Sequence, residues 1–141
     1  IVRISADGTK ATFDASKDFV EFPGGSKKFT IRFDSQSKRY WSLANPVPKK
    51  FQKNQPDHTR NTLALISSAD CRDWRVDKIL FQNPDVKKHG YQYVDWLFEG
   101  DDLIAVIRVA HDDDSTGANN YHNSNYITFY RVKNFRSAGK K

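Results

Sequence analysis

The stretch TLALISSADCRDWRVDKILF, residues 62–81, has the pattern of two β-strands joined by a tight polar turn. Residues 62–67 and 75–81 are rich in apolar and β-branched side chains, which favour a pleated, half-buried conformation. Between them, the side chains of Ser68 and Asp70 can bond to the backbone N–H groups of a turn, and Trp74 can pack against the sheet. We therefore predict an antiparallel hairpin whose turn has a structural role.

The same short-period pattern extends over most of the chain. Apolar and polar residues alternate as in strands, and no stretch has a long helical repeat flanked by capping residues. The predicted strands cover residues 2–5, 11–13, 29–33, 40–43, 62–67, 75–81, 93–98, 103–109 and 126–133. The fold class is therefore predicted to be all-β, with strands that are adjacent in sequence also adjacent in the sheet.

These strands group into antiparallel four-stranded meanders, which is the arrangement of a β-propeller blade. Residues 1–19 would supply the outer strands of one blade, residues 20–85 a four-stranded blade, and residues 86–136 a three-stranded blade closed by a strand from elsewhere. We thus predict that residues 1–136 are the C-terminal blades of a larger five- or six-bladed propeller, and that residues 137–141 are a disordered tail. A β-sandwich would have the same strand count, and periodicity alone fits both folds.

Two further features favour the propeller interpretation. The sequence contains no Met and is already strand-like at Ile1, so we interpret it as a piece of a longer protein whose remaining blades are its partners. Residues 103–107 form the continuous apolar run LIAVI. Since a strand between two blades is covered on both sides, we predict that this strand is buried on both faces.

Composition excludes several classes of protein. Hydrophobic residues make up 38% of the chain, and no apolar run approaches the roughly 20 residues that a membrane-spanning helix needs. The formal net charge is +6, but the basic residues are spread along the chain instead of forming one stripe, so no nucleic-acid partner is predicted. Cys71 is the single cysteine and can form neither an internal disulfide nor a thiolate metal site. The polar loop around His111 matches no metal-ligand spacing, so we predict no metal and no cofactor.

The long connections are predicted to open on one rim of the blades. They are residues 20–28, 45–61, 82–92 and 111–125, and the tight turns between the other strands open on the opposite rim. Long loops on a rigid scaffold commonly carry function, so we predict a binding site where these loops meet. An oligomer contact formed by the same loops is the alternative.

Several short motifs together carry a family resemblance. They are RNTLAL at residues 60–65, the turn SADCRDW at 68–74, HGYQYVDW at 89–96, GDDL at 100–103, Arg108, and HNSNYITF at 122–129. Across about residues 20–136 the chain resembles the C-terminal blades of bacterial sialidase-like glycoside hydrolases with BNR or Asp-box repeats. The turn departs from that pattern because it has Cys71 where Leu is usual and lacks the Asp-box Gly.

The resemblance implies a set of site residues. Sialidases hold the substrate carboxylate with arginines and use a Tyr nucleophile, so it implies Arg60 and Arg108 in substrate binding and Tyr91 or Tyr93 in catalysis. Asp95 would be an acid/base group, or alternatively the ion-pair partner of Arg108. The remaining residues expected to bind substrate are His89, His111, His122 and Asn125. For Tyr93, packing in the core is an equally acceptable interpretation, and Arg60 could instead pair with Asp57.

The implied function is that of a carbohydrate-active propeller, a sialidase-like glycoside hydrolase acting on a glycan at the loop-rich rim. A non-catalytic glycan-binding or scaffolding propeller is the alternative, because no Glu/Asp pair for glycosidic cleavage can be placed in this segment. The enzyme interpretation therefore needs residues from the remaining blades. The resemblance also implies an extracytoplasmic or periplasmic location.

Overall fold

The computed structural model describes residues 1–24 and 26–139, and within them the chain is all-β with three antiparallel sheets. The strands are β1 Arg3–Ile4, β2 Ala11–Thr12, β3 Ile31–Asp34, β4 Arg39–Ala44, β5 Thr62–Ser68, β6 Trp74–Gln82, β7 Gly90–Glu99, β8 Asp102–Ala110 and β9 Tyr126–Val132. Two short 3-10 helices, Lys49–Phe51 and Phe135–Gly139, are also present in this part of the chain. The prediction of an all-β fold is confirmed.

The strand order follows the sequence in every sheet. The orders are β1-β2, β3-β4-β5-β6 and β7-β8-β9, and each neighbouring pair is antiparallel. The four-stranded and three-stranded sheets therefore have the predicted meander order. The described residues form no closed propeller or barrel, so the structure establishes antiparallel sheets and not the arrangement of blades.

The main core lies between the four-stranded and the three-stranded sheet. Trp41, Leu63 and Leu65 from the first pack with Trp96 and Leu103 from the second. On the other face of β5, the side chains of the intervening residues pack against Phe22 and Trp74, so the whole of β5 is buried. Because both faces of β5 are covered, its successive residues are mostly apolar instead of alternating with polar ones.

The strand predicted to be buried on both faces is instead half covered. Within β8, Leu103 and Ile107 are buried whereas Val106 is 50% exposed. The prediction for residues 103–107 is therefore wrong in this chain, because the four-stranded sheet covers only one side of the three-stranded sheet. The open side carries further exposed apolar side chains, among them Leu97 and Phe129.

The turn after β5 has the predicted structural role. Asp70 Oδ1 accepts hydrogen bonds from the backbone N–H groups of Arg72 (2.8 Å) and Asp73 (3.0 Å), and Ser68 Oγ donates to it at 2.9 Å. These hydrogen bonds lower the pKa of Asp70. Trp74 Nε1 donates to the carbonyl of Cys71 at 3.1 Å, which fixes the indole over the turn.

The C-terminal segment is anchored instead of disordered up to residue 139. Phe135 is buried and lies edge-on to Trp41, with ring centroids 5.1 Å apart. Arg136 donates to both carboxylate oxygens of Asp34 at 2.8 and 2.9 Å, and this bidentate pair lowers the pKa of Asp34. Residues 137–139 therefore belong to a 3-10 helix, contrary to the predicted tail, while residues 140–141 lie outside the described residues.

Candidate functional site

The structure brings the four long connections into contact at one end of the two large sheets. The N–H of Tyr91 donates to the carbonyl of Arg60 at 2.9 Å, and the N–H of Tyr121 donates to the carbonyl of Lys87 at 2.7 Å. These bonds join residues 45–61, 82–92 and 111–125 through their backbones. The fourth connection reaches them at Gly24, which lies directly against the backbone of Asn45.

A buried side chain ties these loops to β7. Asn45 Nδ2 donates to the carbonyl oxygens of Thr62 at 2.7 Å and Tyr91 at 2.6 Å. The two acceptors belong to strands of different sheets, so this one amide fixes the spacing between the sheets at the rim. Because these groups are buried, losing the amide would remove a hydrogen bond from two buried carbonyl groups.

Five residues form the most prominent cluster at this rim, and we call them the Tyr93 cluster. The ring of Tyr93 is contacted by three cationic groups: Lys28 Nζ lies 5.2 Å from the ring centroid, and the guanidinium carbons of Arg60 and Arg108 lie 5.6 and 5.1 Å from it. The Tyr93 hydroxyl lies 3.3 Å from Nε2 of His122. One phenol therefore meets three cations and an imidazole.

A β-bulge places Tyr93 in this position. The β7–β8 register shifts between Gln92 and Asp95, and Tyr93 has a φ of 51°. A left-handed conformation is unfavourable for a tyrosine, and bulges next to functional sites commonly redirect one side chain. The sequence predicts a regular strand here, and the bulge is what separates the environments of Tyr91 and Tyr93.

The two guanidinium groups bond only to neutral oxygens within the part of the chain that the structure describes. Arg60 donates to the backbone carbonyl of Asp57 at 2.9 Å and to Gln92 Oε1 at 2.7 Å. Arg108 donates to the carbonyl of His122 at 3.1 Å. No carboxylate of the described chain forms an ion pair with the guanidinium group of Arg60 or Arg108. The cluster therefore carries an uncompensated positive charge that favours an anionic ligand.

Asp95 is not the partner of Arg108, contrary to one of the two alternatives. Its carboxylate pairs with Arg32 at 3.3 Å, and its side chain is 75% exposed. The side chains that surround Tyr93 in the described structure are Lys28, Arg60, Arg108 and His122. The bulge explains the error, because it changes which residues of β7 lie opposite Arg108.

Tyr91 lies in the hydrophobic core instead of at the rim. Its ring stacks on Phe81 with centroids 5.1 Å apart, and burial raises the pKa of its hydroxyl. A raised pKa disfavours the phenolate, so this environment suits packing better than the predicted catalytic role. Of the two candidate tyrosines, Tyr93 is the one that meets the predicted arginines.

The remaining predicted residues form a second group, next to but distinct from the Tyr93 cluster. His89 is buried, with Nε2 3.3 Å from Asp112 Oδ2 and Nδ1 3.7 Å from Asp85 Oδ2, and its ring lies edge-on to His111. Asn125 exchanges hydrogen bonds with the backbone of His111, which closes the loop at residues 111–125. Among the described residues, no three His, Cys, Asp or Glu side chains are grouped as a metal site.

Two features of the rim were not predicted. Gln92 is 1% exposed, accepts from Arg60, and donates through Nε2 to the carbonyls of Tyr121 at 2.8 Å and His122 at 2.9 Å. Lys28 belongs to a basic pair that the sequence does not distinguish from ordinary surface. The one available signal for Gln92 was a long polar side chain within an aromatic strand.

A cavity on the described part of the chain is lined by none of the five residues of the Tyr93 cluster. It has a volume of about 720 Å³ and lies between the turn after β5 and the loop at residues 45–61, with Phe22, Pro46 and Trp74 among its walls. Arg72 at its edge pairs with buried Asp18 at 3.1 Å. The arginine in this groove therefore already has a carboxylate partner, unlike Arg60 and Arg108 within the described chain.

Gly90 allows the loop at residues 111–125 to lie against β7. A Cβ at this position would lie 2.5 Å from the carbonyl oxygen of Tyr121 and 3.4 Å from Cβ of Arg60. We expect Gly90→Ala to displace this loop, to lower the free energy of unfolding by about 1–3 kcal/mol in urea titrations, and to weaken ligand binding at the Tyr93 cluster.

Gly8→Ala is the matched control for that variant. Gly8 has a φ of 73°, and a Cβ added there would have no neighbouring atom within 4 Å. The substitution should therefore cost about 1 kcal/mol through backbone strain alone. It should leave ligand binding unchanged. Equal binding by the two variants would contradict the role given to Gly90.

No family model, curated protein or solved structure matches this chain. The described residues also contain no helix with the length and hydrophobicity that crossing a lipid bilayer requires.

Proposed function

We propose that the Tyr93 cluster binds an acidic glycan, as part of a sialidase-like carbohydrate-active protein. One observation carries the proposal: two guanidinium groups lie over the same tyrosine ring and bond only to neutral oxygens within the described chain. A planar guanidinium matches a carboxylate with two parallel hydrogen bonds. The ligand's carboxylate would bind Arg60 and Arg108, and its hydroxyl groups would bond to His122.

The site is suited to a charged sugar for a second reason. The guanidinium of Arg60 is held in place by its hydrogen bonds to Gln92 and to the backbone of Asp57. A preordered guanidinium loses little conformational freedom when it binds a carboxylate, so more of the interaction energy contributes to affinity. A neutral sugar would gain only the stacking and hydroxyl contacts.

Hydrolysis is the further step of this proposal. Tyr93 would attack the anomeric carbon of the sugar, His122 Nε2, at 3.3 Å, would accept its proton, and the bond from that carbon to the leaving oxygen would break. Water would then displace Tyr93 from the anomeric carbon, losing a proton to the group that protonated the leaving oxygen, and His122 would return its proton to Tyr93. Cleavage also needs an acid that protonates the leaving oxygen, and the Tyr93 cluster contains no carboxylate among the described residues. The proposed acid therefore comes from further blades, and non-catalytic glycan binding is the second candidate for this chain alone.

The propeller part of the proposal is supported by the open side of the three-stranded sheet. Leu97 and Phe129 are exposed there, together with Val106. The opposite side of the same sheet is covered by the four-stranded sheet through a buried apolar core. A further blade would cover the open side in the same way, since adjacent blades pack face to face.

Binding and turnover of defined glycans test the proposed function. We expect sialyllactose or a hexuronate oligosaccharide to bind at least about tenfold more tightly than lactose in calorimetry, because only the acidic ligands pair with the guanidinium groups. In a protein that includes the proposed further blades, Tyr93→Phe should retain this binding and remove turnover of a fluorogenic sialoside. Equal affinity for acidic and neutral glycans would contradict the proposal, and binding without turnover by that longer protein would favour the non-catalytic candidate.

A further inference from the structure

Lys27 is buried beside the Tyr93 cluster without a carboxylate partner among the described residues. The residue is only 8% exposed, and Nζ has a 3.3 Å contact with Ser26 Oγ as its hydrogen bond. A lysine is rarely buried unless its charge is paired, because removing an ammonium group from water is costly. The described fold therefore leaves the buried ammonium group of Lys27 without a paired negative charge.

The electrostatic surroundings of Lys27 connect it to Arg60. Burial is the main cause that lowers the pKa of Lys27 to about 8, repulsion by Arg60 acts in the same direction, and attraction by Asp57 opposes the shift. The charged and titratable groups at this part of the rim include Lys28 on the same connection, Arg60, Asp57 and His58 on the next, and Tyr93, Arg108 and His122 on the three-stranded sheet and its loop. His58 Nε2 lies 3.4 Å from Asp57 Oδ2. Among these described groups, Asp57 is the acidic one that offsets the cations around Lys27.

We propose that Lys27 joins Arg60 and Arg108 in binding the anionic group of the ligand, so that the site accepts a sugar carrying a carboxylate or a sulfate. The proposal rests on the proposed function, and it adds Lys27 as a binding residue and makes the affinity depend on the protonation of Lys27. An anion between Lys27 and Arg60 would compensate the buried ammonium and reduce its repulsion with Arg60. Both ligand types offer the same feature, a negatively charged oxygen.

The sign of the pH dependence follows from the protonation of Lys27 in the free protein. Lys27 loses its proton as the pH rises through about 8, whereas a bound anion favours the protonated form. Binding above this pH must therefore take up a proton, and the affinity falls as the pH rises. Below it, Lys27 is already charged in the free protein and contributes no pH dependence.

Calorimetry with sialyllactose and with a sulfated galactose oligosaccharide tests this coupling. For the wild-type chain, we expect the affinity for the preferred ligand to fall about tenfold between about pH 7 and about pH 9, which is the change for one linked proton. Lys27→Gln should bind more weakly at the lower pH and lose most of this dependence. Lys38→Gln is the matched control, since it removes an exposed cation from the turn between β3 and β4, outside the Tyr93 cluster, and should keep the dependence.

The outcomes separate this proposal from the proposed function. A flat profile in the wild-type chain, or an unchanged slope in Lys27→Gln, would overturn the role of Lys27 while leaving glycan binding intact. If neither glycan binds, the proposed function fails, and acylation of Lys27 measured by peptide mass spectrometry gives a separate test. Protection of Lys27, but not Lys38, by inorganic sulfate would support the anion subsite, and equal acylation of Lys27 with and without sulfate would overturn it.

Discussion

Arg60→Met is expected to lower the affinity for sialyllactose by roughly 10- to 100-fold, because a hydrogen bond between charged groups contributes about 1.5–3 kcal/mol. Methionine keeps an unbranched aliphatic chain, but it loses the guanidinium contact with the rings of Tyr93 and Tyr121. It removes the fork of N–H donors and the positive charge. The loss should therefore affect acidic glycans much more than neutral ones.

Arg32→Met is a matched control for that variant. Arg32 also lies over an aromatic ring, that of Trp96 at 5.5 Å, but its guanidinium is paired with Asp95. Its replacement should leave the affinity for sialyllactose unchanged. A comparable loss in both variants would show that general positive charge, and not the Tyr93 cluster, attracts the ligand. Arg60→Lys should recover only part of the affinity, because an ammonium group lacks the planar fork.

Gln92→Leu is expected to lower the free energy of unfolding by about 2–4 kcal/mol, since it removes the hydrogen-bond partner of four partly buried polar groups. The amide of Gln92 bonds to Arg60, to the carbonyls of Tyr121 and His122, and to Ser124 Oγ at 3.0 Å. Its removal would also release the loop at residues 111–125 from β7. We therefore expect glycan binding to weaken in the same variant.

Two further variants, compared by urea unfolding, test whether the lost hydrogen bonds cause the effects of Gln92→Leu. Gln82→Leu removes a weak contact to Thr62, of 3.4 Å, from an exposed side chain and should change the stability by less than about 0.5 kcal/mol. Gln92→Glu keeps an acceptor for Arg60 but places a negative charge there and removes both donors. It should abolish the preference for acidic glycans. A stable Gln92→Leu variant with unchanged binding would contradict the role given to this side chain.

The positions of the strands can be predicted from the sequence because they depend on patterns among neighbouring residues. Alternation along each strand is imposed by the pleat, and the turn at Ser68 and Asp70 depends on side chains that bond to their own backbone neighbours. The same holds for the sequential order of strands in each sheet, since short turns join antiparallel neighbours. These features need no knowledge of distant contacts.

The errors arise where a distant contact determines the result. The bulge at Tyr93 separates Asp95 from Arg108, and it depends on pairing between β7 and β8 that the strand alone does not reveal. Phe135 anchors residues 137–139 through contacts with Trp41 and Phe98, although the local composition resembles a frayed terminus. Burial of Val106 was overestimated because it requires a second sheet that the described residues do not provide.

The candidate site was predictable in part for the same reason. Arg60, Arg108, Tyr93 and His122 were expected at one rim, and the structure groups them. Lys27 and Gln92 were missed, because a buried lysine and a buried glutamine have no sequence pattern that distinguishes them from surface residues. Their importance depends on packing between loops that are far apart in the chain.

Titration of the isotopically labelled chain with sialyllactose, followed by nuclear magnetic resonance, identifies the residues that contact the ligand. We expect the chemical shift changes to centre on the Tyr93 cluster, with the largest changes at Arg60, Tyr93 and Arg108, and we expect lactose to produce much smaller changes. Changes confined to the groove between Phe22 and Trp74, or none at the Tyr93 cluster, would contradict the proposed site.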